Sequence, residues 1–160
     1  MEIEIGRGKR GRRAYGLDEI AIVPSRRTRD PEDVDLSWQL DGHTFDLPIL
    51  ASAMDGEGDN RTAGIIGRIG GLGVLNLEGI QTRYEEADAE LERISRMPVP
   101  EATRGLQEIY TEPVKPELIA QRIREIKSQG VVVAGSLTPQ KVTDHIDVAL
   151  EAGLAILLIQ

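Results

Sequence analysis

The 160-residue sequence predicts an α/β protein with a parallel sheet, and two observations carry that prediction. Four short apolar runs recur along the chain, and segments with the apolar spacing of amphipathic helices alternate with them. Strands that are apolar throughout are buried on both faces, as in parallel sheets covered by helices. The core must be aliphatic, because aromatic residues make up only 3% of the chain.

The apolar runs define the predicted strands. They cover residues 47–53, 72–77, 131–134 and 154–159. A short extended segment at residues 17–23, closed by Pro24 and Ser25, precedes them. Parallel strands that alternate with helices require right-handed crossover connections.

Capping residues indicate where the first two helices begin and end. Asp59 or Asn60 can cap a helix that ends at Gly70. Thr82 and Glu85 have the spacing of a capping box, which predicts the start of a second helix.

Proline and glycine delimit the later helices. Residues 97–115 form a proline-containing connection with a short predicted helix around Leu106 and Ile109. Pro116 suits the first turn of a helix that stops at Gly130. The pair Thr138–Pro139 predicts a cap and a first turn for the last helix, which ends at Gly153.

Four βα units in 160 residues correspond to half of a (β/α)8 TIM barrel, which takes about 250 residues. No helix follows the fourth predicted strand, so we expect the N-terminal half of such a barrel. A complete doubly wound domain is the alternative. Residues 1–29 are expected to form a basic, solvated N-terminal arm with the extended segment, and residues 30–160 the partial barrel.

Composition excludes several classes of protein. The chain has no cysteine, which excludes a disulfide scaffold, a thiolate metal site and a cysteine nucleophile within it. No apolar run approaches the ~20 residues of a membrane span, and no secretory signal is evident. Residues 1–29 carry a net charge of +4, but the whole chain carries −8, which argues against nucleic acid as the main partner. We expect a cytoplasmic protein.

Four motifs that suggest a ligand fail on spacing. Gly6–Lys9 lacks the phosphate-loop pattern, and Gly70–Gly73 precedes a strand instead of joining a strand to a helix. The alternate carboxylates in residues 55–59 lack the glycine and the closing glutamate of a calcium loop. His43 and His145 have no ligand-spaced companions, so no metal site is predicted.

Residues Ala51–Asp55, at the end of the first predicted strand, are the strongest candidate for a ligand site. Ser52 offers a hydroxyl and Met54 an adaptable apolar surface. The helix that follows would present its N-terminus, which favours anions.

At these residues the sequence resembles the IMP dehydrogenase/GMP reductase family. The motifs appear in the family's order and spacing: Leu17–Ser25 (LDEIAIVPS), Val34–Ser37 (VDLS), Pro48–Asp55 (PILASAMD) and Gly70–Leu75 (GGLGVL). Two further segments, Arg12–Gly16 (RRAYG) and Asn76–Tyr84 (NLEGIQTRY), resemble the branch that lacks CBS domains. The connection at residues 97–115 has no room for a CBS pair.

The resemblance implies a (β/α)8 barrel, commonly a homotetramer, that acts on a purine nucleotide with NAD or NADP. IMP dehydrogenases oxidise IMP to XMP through a cysteine adduct at C2, with hydride transfer to NAD and hydrolysis, in GMP biosynthesis. GMP reductases convert GMP to IMP through a similar adduct, with loss of ammonia and hydride donation from NADPH.

The resemblance also assigns candidate site residues. Ser52 and Met54 would contact the nucleotide, Asp55 would support their loop, and Asn76 would lie near the same pocket. Gln160 stands where the family has an aspartate that holds the cofactor ribose. No catalytic residue is carried over, because the family's cysteine loop, phosphate loops and flap lie beyond Gln160.

We therefore expect an N-terminal fragment of a purine-nucleotide oxidoreductase that is inactive alone. One alternative is a short half-barrel that binds a nucleotide or partner without catalysis and dimerises to cover its open edges. The other is a phosphate-handling barrel enzyme that shares only the architecture.

Overall fold

The computed structural model describes residues 2–23, 30–56 and 58–160, and its contacts divide the chain into two compact units, residues 1–35 and 36–160. The predicted closure of the first segment at Pro24 and Ser25 lies outside the described residues, as does Glu57. No helix in the described ranges is long and apolar enough to cross a membrane.

The first unit contains an antiparallel hairpin, β1 (Glu2–Glu4) with β2 (Arg10–Arg12). Its turn is closed by the Ile5 amide donating to the Lys9 carbonyl at 2.8 Å. The basic arm therefore carries a regular element that the sequence did not predict. The segment predicted as extended at residues 17–23 begins instead with a 3₁₀ turn, Leu17–Glu19.

The second unit contains a short hairpin and a four-stranded parallel sheet. The hairpin is β3 (Trp38–Leu40) with β4 (His43–Phe45). The sheet consists of β5 (Leu50–Ala51), β6 (Leu72–Asn76), β7 (Ala134–Leu137) and β8 (Ile156–Ile159). The helices are α1 (Asn60–Arg68), α2 (Ala87–Ser95), α3 (Val99–Ile109), α4 (Pro116–Lys127) and α5 (Val142–Ala152).

The spatial order of the parallel strands is β5-β6-β7-β8, the same as their order in the chain. A doubly wound sheet reverses its strand order at a switch point, whereas a barrel adds each strand beside the previous one. One face of the sheet packs against α1, α4 and α5 in an aliphatic core. The order and the one-sided helical cover fit a barrel wall better than a doubly wound domain.

The opposite face of the sheet has a second, smaller apolar cluster. Leu72, Val74 and Ala134 are buried there, with Ile156 and Leu158 partly buried beside them. In a barrel wall this is the inward face, since the helices occupy the other one.

The β3–β4 hairpin contributes aromatic packing to the same cluster. The rings of Trp38 and Phe45 stack with centroids 4.6 Å apart, and Phe45 is buried. The Trp38 indole N–H donates to the Leu47 carbonyl at 2.7 Å, which satisfies its polar atom.

Several predicted boundaries are displaced. The first strand is reduced to Leu50–Ala51, and the third comprises Ala134–Leu137 instead of residues 131–134. Pairing with β6 sets the residue at which the third strand begins. The first paired residue is Ala134, which lies opposite Val74, and the three valines at residues 131–133 come before it. Apolar composition alone does not specify register.

Two predicted helix starts are wrong. Thr82 belongs to a 3₁₀ turn, where its hydroxyl donates to the carbonyls of Leu77 and Gly79, and α2 begins only at Ala87. Thr138 bonds to Glu78 instead of capping a helix, and α5 begins at Val142.

Other predicted boundaries are confirmed. The Asp59 carboxylate caps α1 by accepting from the Thr62 amide at 2.5 Å. Pro116 occupies the first turn of α4. Gly153 follows α5 with a φ of 108°, which favours glycine. The predicted short helix in the 97–115 connection is the eleven-residue α3.

Replacing Gly73 by alanine should destabilise the protein, because α1 lies directly against β6 at this glycine. An added Cβ would overlap the Cα of Ala63 and lie 2.9 Å from its Cβ. We expect Gly73→Ala to lower the free energy of unfolding by about 1–3 kcal/mol in urea titrations. Gly56→Ala is the matched control, since no atom lies within 4 Å of its added Cβ. Equal stability of the two variants would contradict the packing.

Candidate functional site

The predicted site residues lie at the carboxyl edge of the parallel sheet, defined here as the ends of β5–β8 and the segments that follow them. Ser52, Met54 and Asp55 follow β5, Asn76 ends β6, and Gln160 follows β8. Parallel strands place these segments at one edge, which is where barrel enzymes build their active sites.

The Asp55 carboxylate accepts three hydrogen bonds at this edge. Its Oδ1 accepts from the Asn76 Nδ2 at 3.0 Å, and its Oδ2 accepts from the Ile80 amide at 3.0 Å. The Tyr110 hydroxyl also donates to Oδ2. We call these four residues the Asp55 cluster. Three donors restrict the carboxylate to one orientation. The cluster therefore ties the segment after β5 (residues 52–56 and 58–59, the β5 loop) to the segment after β6 (residues 77–86, the β6 loop).

Asp55 and Asn76 lie so close to Gly79 that no larger side chain fits at this position. A Cβ at this position would overlap Asp55 Oδ1 and lie 3.0 Å from Asn76 Nδ2. The Asn76 Oδ1 accepts from the Glu78 amide at 3.0 Å, which orients the Asn76 amide group. Asn76 therefore joins its own turn to the β5 loop.

Ser52 and Met54 present their side chains at the surface while their backbones are bonded within the loop. Met54 is 50% exposed, and Ser52 is also exposed. The Ser52 carbonyl accepts from the Met54 amide at 2.9 Å, and the Met54 carbonyl accepts from the Gly58 amide at 2.6 Å. The loop can therefore offer a hydroxyl and a thioether without breaking its own hydrogen bonds.

Gln160 lies two strands away from Asn76, with β7 between them. Its Nε2 donates to the Ser136 hydroxyl at 3.3 Å, and Ser136 is fully buried opposite Asn76 in the register of β6 and β7. The edge thus has two polar groups, the Asp55 cluster and the Ser136–Gln160 pair. Asn76 and Gln160 make no direct bond.

Sequence reasoning missed Tyr110 and Ser136. Ser136 follows a run of apolar residues and falls just beyond the strand predicted at 131–134, so its place on the edge was hidden by the boundary error. Tyr110 is one of only three tyrosines, but its contact with Asp55 spans 55 residues and has no local signal.

Burial, together with the hydrogen bond to Asp55 and the charge of Asp55, raises the pKa of Tyr110 from 10.0 to about 12. The folded state therefore favours the neutral hydroxyl. Its contribution to stability is complete below about pH 10 and is lost as the pH rises from 10 to 12.

We expect ultraviolet titration to show a tyrosine ionisation step near pH 12, and Tyr110→Phe to remove that late step. The Tyr15→Phe variant is the control, because it removes a tyrosine outside the Asp55 cluster and should retain the late step. A late step that persists in Tyr110→Phe would contradict the assignment.

Among the described residues, no group of three or more His, Asp or Glu side chains is arranged to hold a metal ion.

The family assignment follows from comparison with known proteins. Residues 14–160 match the family profile described as the IMP dehydrogenase/GMP reductase domain. The chain belongs to the IMP dehydrogenase/GMP reductase family.

Its relatives include an uncharacterized oxidoreductase of Mycobacterium tuberculosis, which is 40% identical over 99% of this chain and 44% of its own length. An inosine-5'-monophosphate dehydrogenase of Methanocaldococcus jannaschii is 35% identical over 41% of this chain and 13% of its own. The solved structure of an IMP dehydrogenase/GMP reductase-like protein from Corynebacterium glutamicum superposes with a TM-score of 0.85 at 36% identity. The superposition covers 99% of this chain and 44% of the chain of that protein.

These relationships confirm the predicted fold class and the resemblance. The chain corresponds to the N-terminal part of an oxidoreductase family built on a TIM barrel, and it spans less than half the length of these relatives. The alternative of an unrelated barrel enzyme is wrong, because the match extends over nearly the whole sequence.

Proposed function

We propose that this chain forms the N-terminal part of a purine-nucleotide oxidoreductase, which converts IMP to XMP with NAD or GMP to IMP with NADPH. The chain supplies one wall of the nucleotide pocket. The observation that carries the proposal is the β5 loop, which exposes Ser52 and Met54 while the Asp55 cluster fixes its position.

Each residue of the loop has a separate role in this proposal. The Ser52 hydroxyl bonds to a polar group of the nucleotide, and Met54 packs against the purine base, since a thioether forms favourable contacts with aromatic rings. Asn76 lies beside the same pocket, and Asp55 acts as a support because its oxygens are already engaged.

The described residues fit part of a nicotinamide cofactor site. The Gln160 side chain is exposed at the carboxyl edge, and its Nε2 is oriented by Ser136, which leaves the amide oxygen able to accept from a ribose hydroxyl. NAD or NADP, when bound, would accept or donate the hydride. A neutral amide lacks the charge of the family's aspartate at this position, so it holds a hydroxyl more weakly.

The chain alone should be catalytically inactive. It has no cysteine, so it lacks the nucleophile that the family's reaction requires, and it contributes binding and orientation only. The complete protein is proposed to be a cytoplasmic homo-oligomer that completes the barrel with its remaining strands.

Substitutions in the β5 loop should affect the nucleotide more than the cofactor. We expect Ser52→Ala and Met54→Ala in the full-length protein to raise the nucleotide KM by about tenfold, with little change in the cofactor KM. Steady-state kinetics with IMP and NAD, and with GMP and NADPH, measure both constants. Ser95→Ala, an exposed serine on α2, is the control. Equal changes in the two KM values would count against the assigned pocket.

A short, non-catalytic half-barrel is the alternative product. Within the described residues β5 and β8 each pair with one neighbouring strand only, so such a protein would need a second copy to cover these edges. Sequencing the source DNA beyond the Gln160 codon separates the two cases. An open frame with a cysteine-containing segment supports the oxidoreductase, whereas a stop codon followed by a defined dimer in sedimentation supports the half-barrel.

A further inference from the structure

Tyr110 reaches the β5 loop from a different part of the fold. It follows α3, in the connection between α2 and α4, whereas the other members of the Asp55 cluster belong to the ends of β5 and β6 or the turn after β6. Its hydroxyl is the only side-chain donor to Asp55 from outside these two neighbouring strand ends among the described residues. The contact therefore connects α3 to the loop that exposes Ser52 and Met54.

Helix α3, which immediately precedes Tyr110, packs closely against α2. Ile109 is buried in a cluster that joins α3 to α2, and the Tyr84 hydroxyl donates to the Ile109 carbonyl at 3.2 Å. At Gly105 the two helices are so close that a Cβ would lie 2.5 Å from the Ile94 Cδ1. This packing restricts the position of the residue that follows α3.

Arg83 also contacts Tyr110, through both its ring and its carbonyl. Its guanidinium lies 5.3 Å from the ring centroid, and its Nη1 donates to the Tyr110 carbonyl at 3.4 Å. The Arg83 Nε and Nη2 both donate to the Glu78 carbonyl, at 3.1 and 3.0 Å. These contacts fix the ring against the β6 loop, in a position from which its hydroxyl donates to Asp55.

We propose that Tyr110 is a positioning residue for nucleotide binding: its hydroxyl holds the Asp55 carboxylate and thereby sets the β5 loop in the conformation that receives the nucleotide. This inference rests on the proposed function. Tyr110 itself is not required to touch the substrate, because it acts through Asp55. Without the hydroxyl, the loop retains its bonds from Asn76 and Ile80 but samples more orientations.

The test is Tyr110→Phe in the full-length protein, with direct nucleotide binding measured by calorimetry beside steady-state kinetics. We expect the Kd and KM of the accepted nucleotide, IMP or GMP, to rise by about fivefold, with the cofactor KM unchanged. Thr111→Val is the matched control, because it removes a neighbouring hydroxyl that donates to the Glu108 carbonyl and not to Asp55. It should bind the nucleotide as the wild type does.

A double-mutant cycle with Asp55→Ala isolates the contact, because alanine removes the acceptor of the Tyr110 hydroxyl. If Tyr110 acts through the carboxylate, adding Tyr110→Phe to Asp55→Ala should weaken binding by less than about twofold, compared with about fivefold in the wild-type background. Fully additive effects would overturn the positioning role, as would unchanged nucleotide affinity in Tyr110→Phe when the wild type binds normally. A wild-type protein that binds neither IMP nor GMP would instead overturn the proposed function and this inference together.

Discussion

Replacing Arg122 by alanine should produce one of the largest losses of stability in the protein, about 3 kcal/mol in the free energy of unfolding. Arg122 lies on α4 and is 7% exposed. Its Nε donates to the Gln81 carbonyl at 3.1 Å, its Nη2 to the Glu85 carbonyl at 2.6 Å, and its Nη1 to Glu125 at 3.1 Å. Alanine would leave the Gln81 carbonyl without its donor, and Gln81 is 4% exposed.

The prediction can be checked by urea unfolding with two comparison variants. Arg124→Ala removes an exposed arginine from the same helix and should change stability by less than about 0.5 kcal/mol. Arg122→Lys should recover only part of the loss, because an ammonium group cannot reproduce the planar fork of donors. Similar stability of Arg122→Ala and Arg124→Ala would show that the buried network does not join α4 to the Ile80–Thr82 turn as described.

Replacing Asp55 by alanine should impair both stability and nucleotide binding. The change removes the common acceptor of the Asn76 amide, the Ile80 amide and the Tyr110 hydroxyl, and Ile80 is 1% exposed. We expect the free energy of unfolding to fall by about 2–3 kcal/mol, because a buried donor left without a partner loses its hydration without compensation. The nucleotide KM should rise more than tenfold as the β5 loop loses its anchor.

Asp147→Ala is the matched control for Asp55→Ala, since Asp147 is exposed on α5. It should leave both the free energy of unfolding and the nucleotide KM near their wild-type values. An Asp55→Ala protein that is destabilised but binds the nucleotide normally would restrict the cluster to a structural role. Unchanged stability would contradict the cluster itself.

The sheet and most helices were predictable because their signals are local. Apolar runs marked all four parallel strands, and proline or glycine marked the first turn of α4 and the end of α5. The two wrong helix starts occurred where a threonine hydroxyl bonds elsewhere than to the predicted helix. Thr82 and Thr138 look like caps in sequence, but Thr82 donates to the nearby carbonyls of Leu77 and Gly79, and Thr138 donates to Glu78, sixty residues away.

The candidate site was predictable only in part. Ser52 and Met54 were identified by their position after the first predicted strand and by the family resemblance, whereas Asp55 and Asn76 were assigned by the resemblance alone. The structure brings Asp55 and Asn76 into direct contact. Tyr110 could not be found, because nothing in the local sequence indicates that α3 returns its following residue to the β5 loop. The roles of all these residues in nucleotide binding stay predictions.

The proposed nucleotide pocket is tested most directly by the kinetics of Met54→Ala in the full-length protein. Met54 is half exposed and makes only backbone hydrogen bonds, so its truncation should change the pocket without changing the fold. We predict turnover of IMP with NAD or of GMP with NADPH by the wild type, and a nucleotide KM about tenfold higher in Met54→Ala at an unchanged cofactor KM. A wild type without either activity, or a variant whose cofactor KM changes as much as its nucleotide KM, would contradict the account.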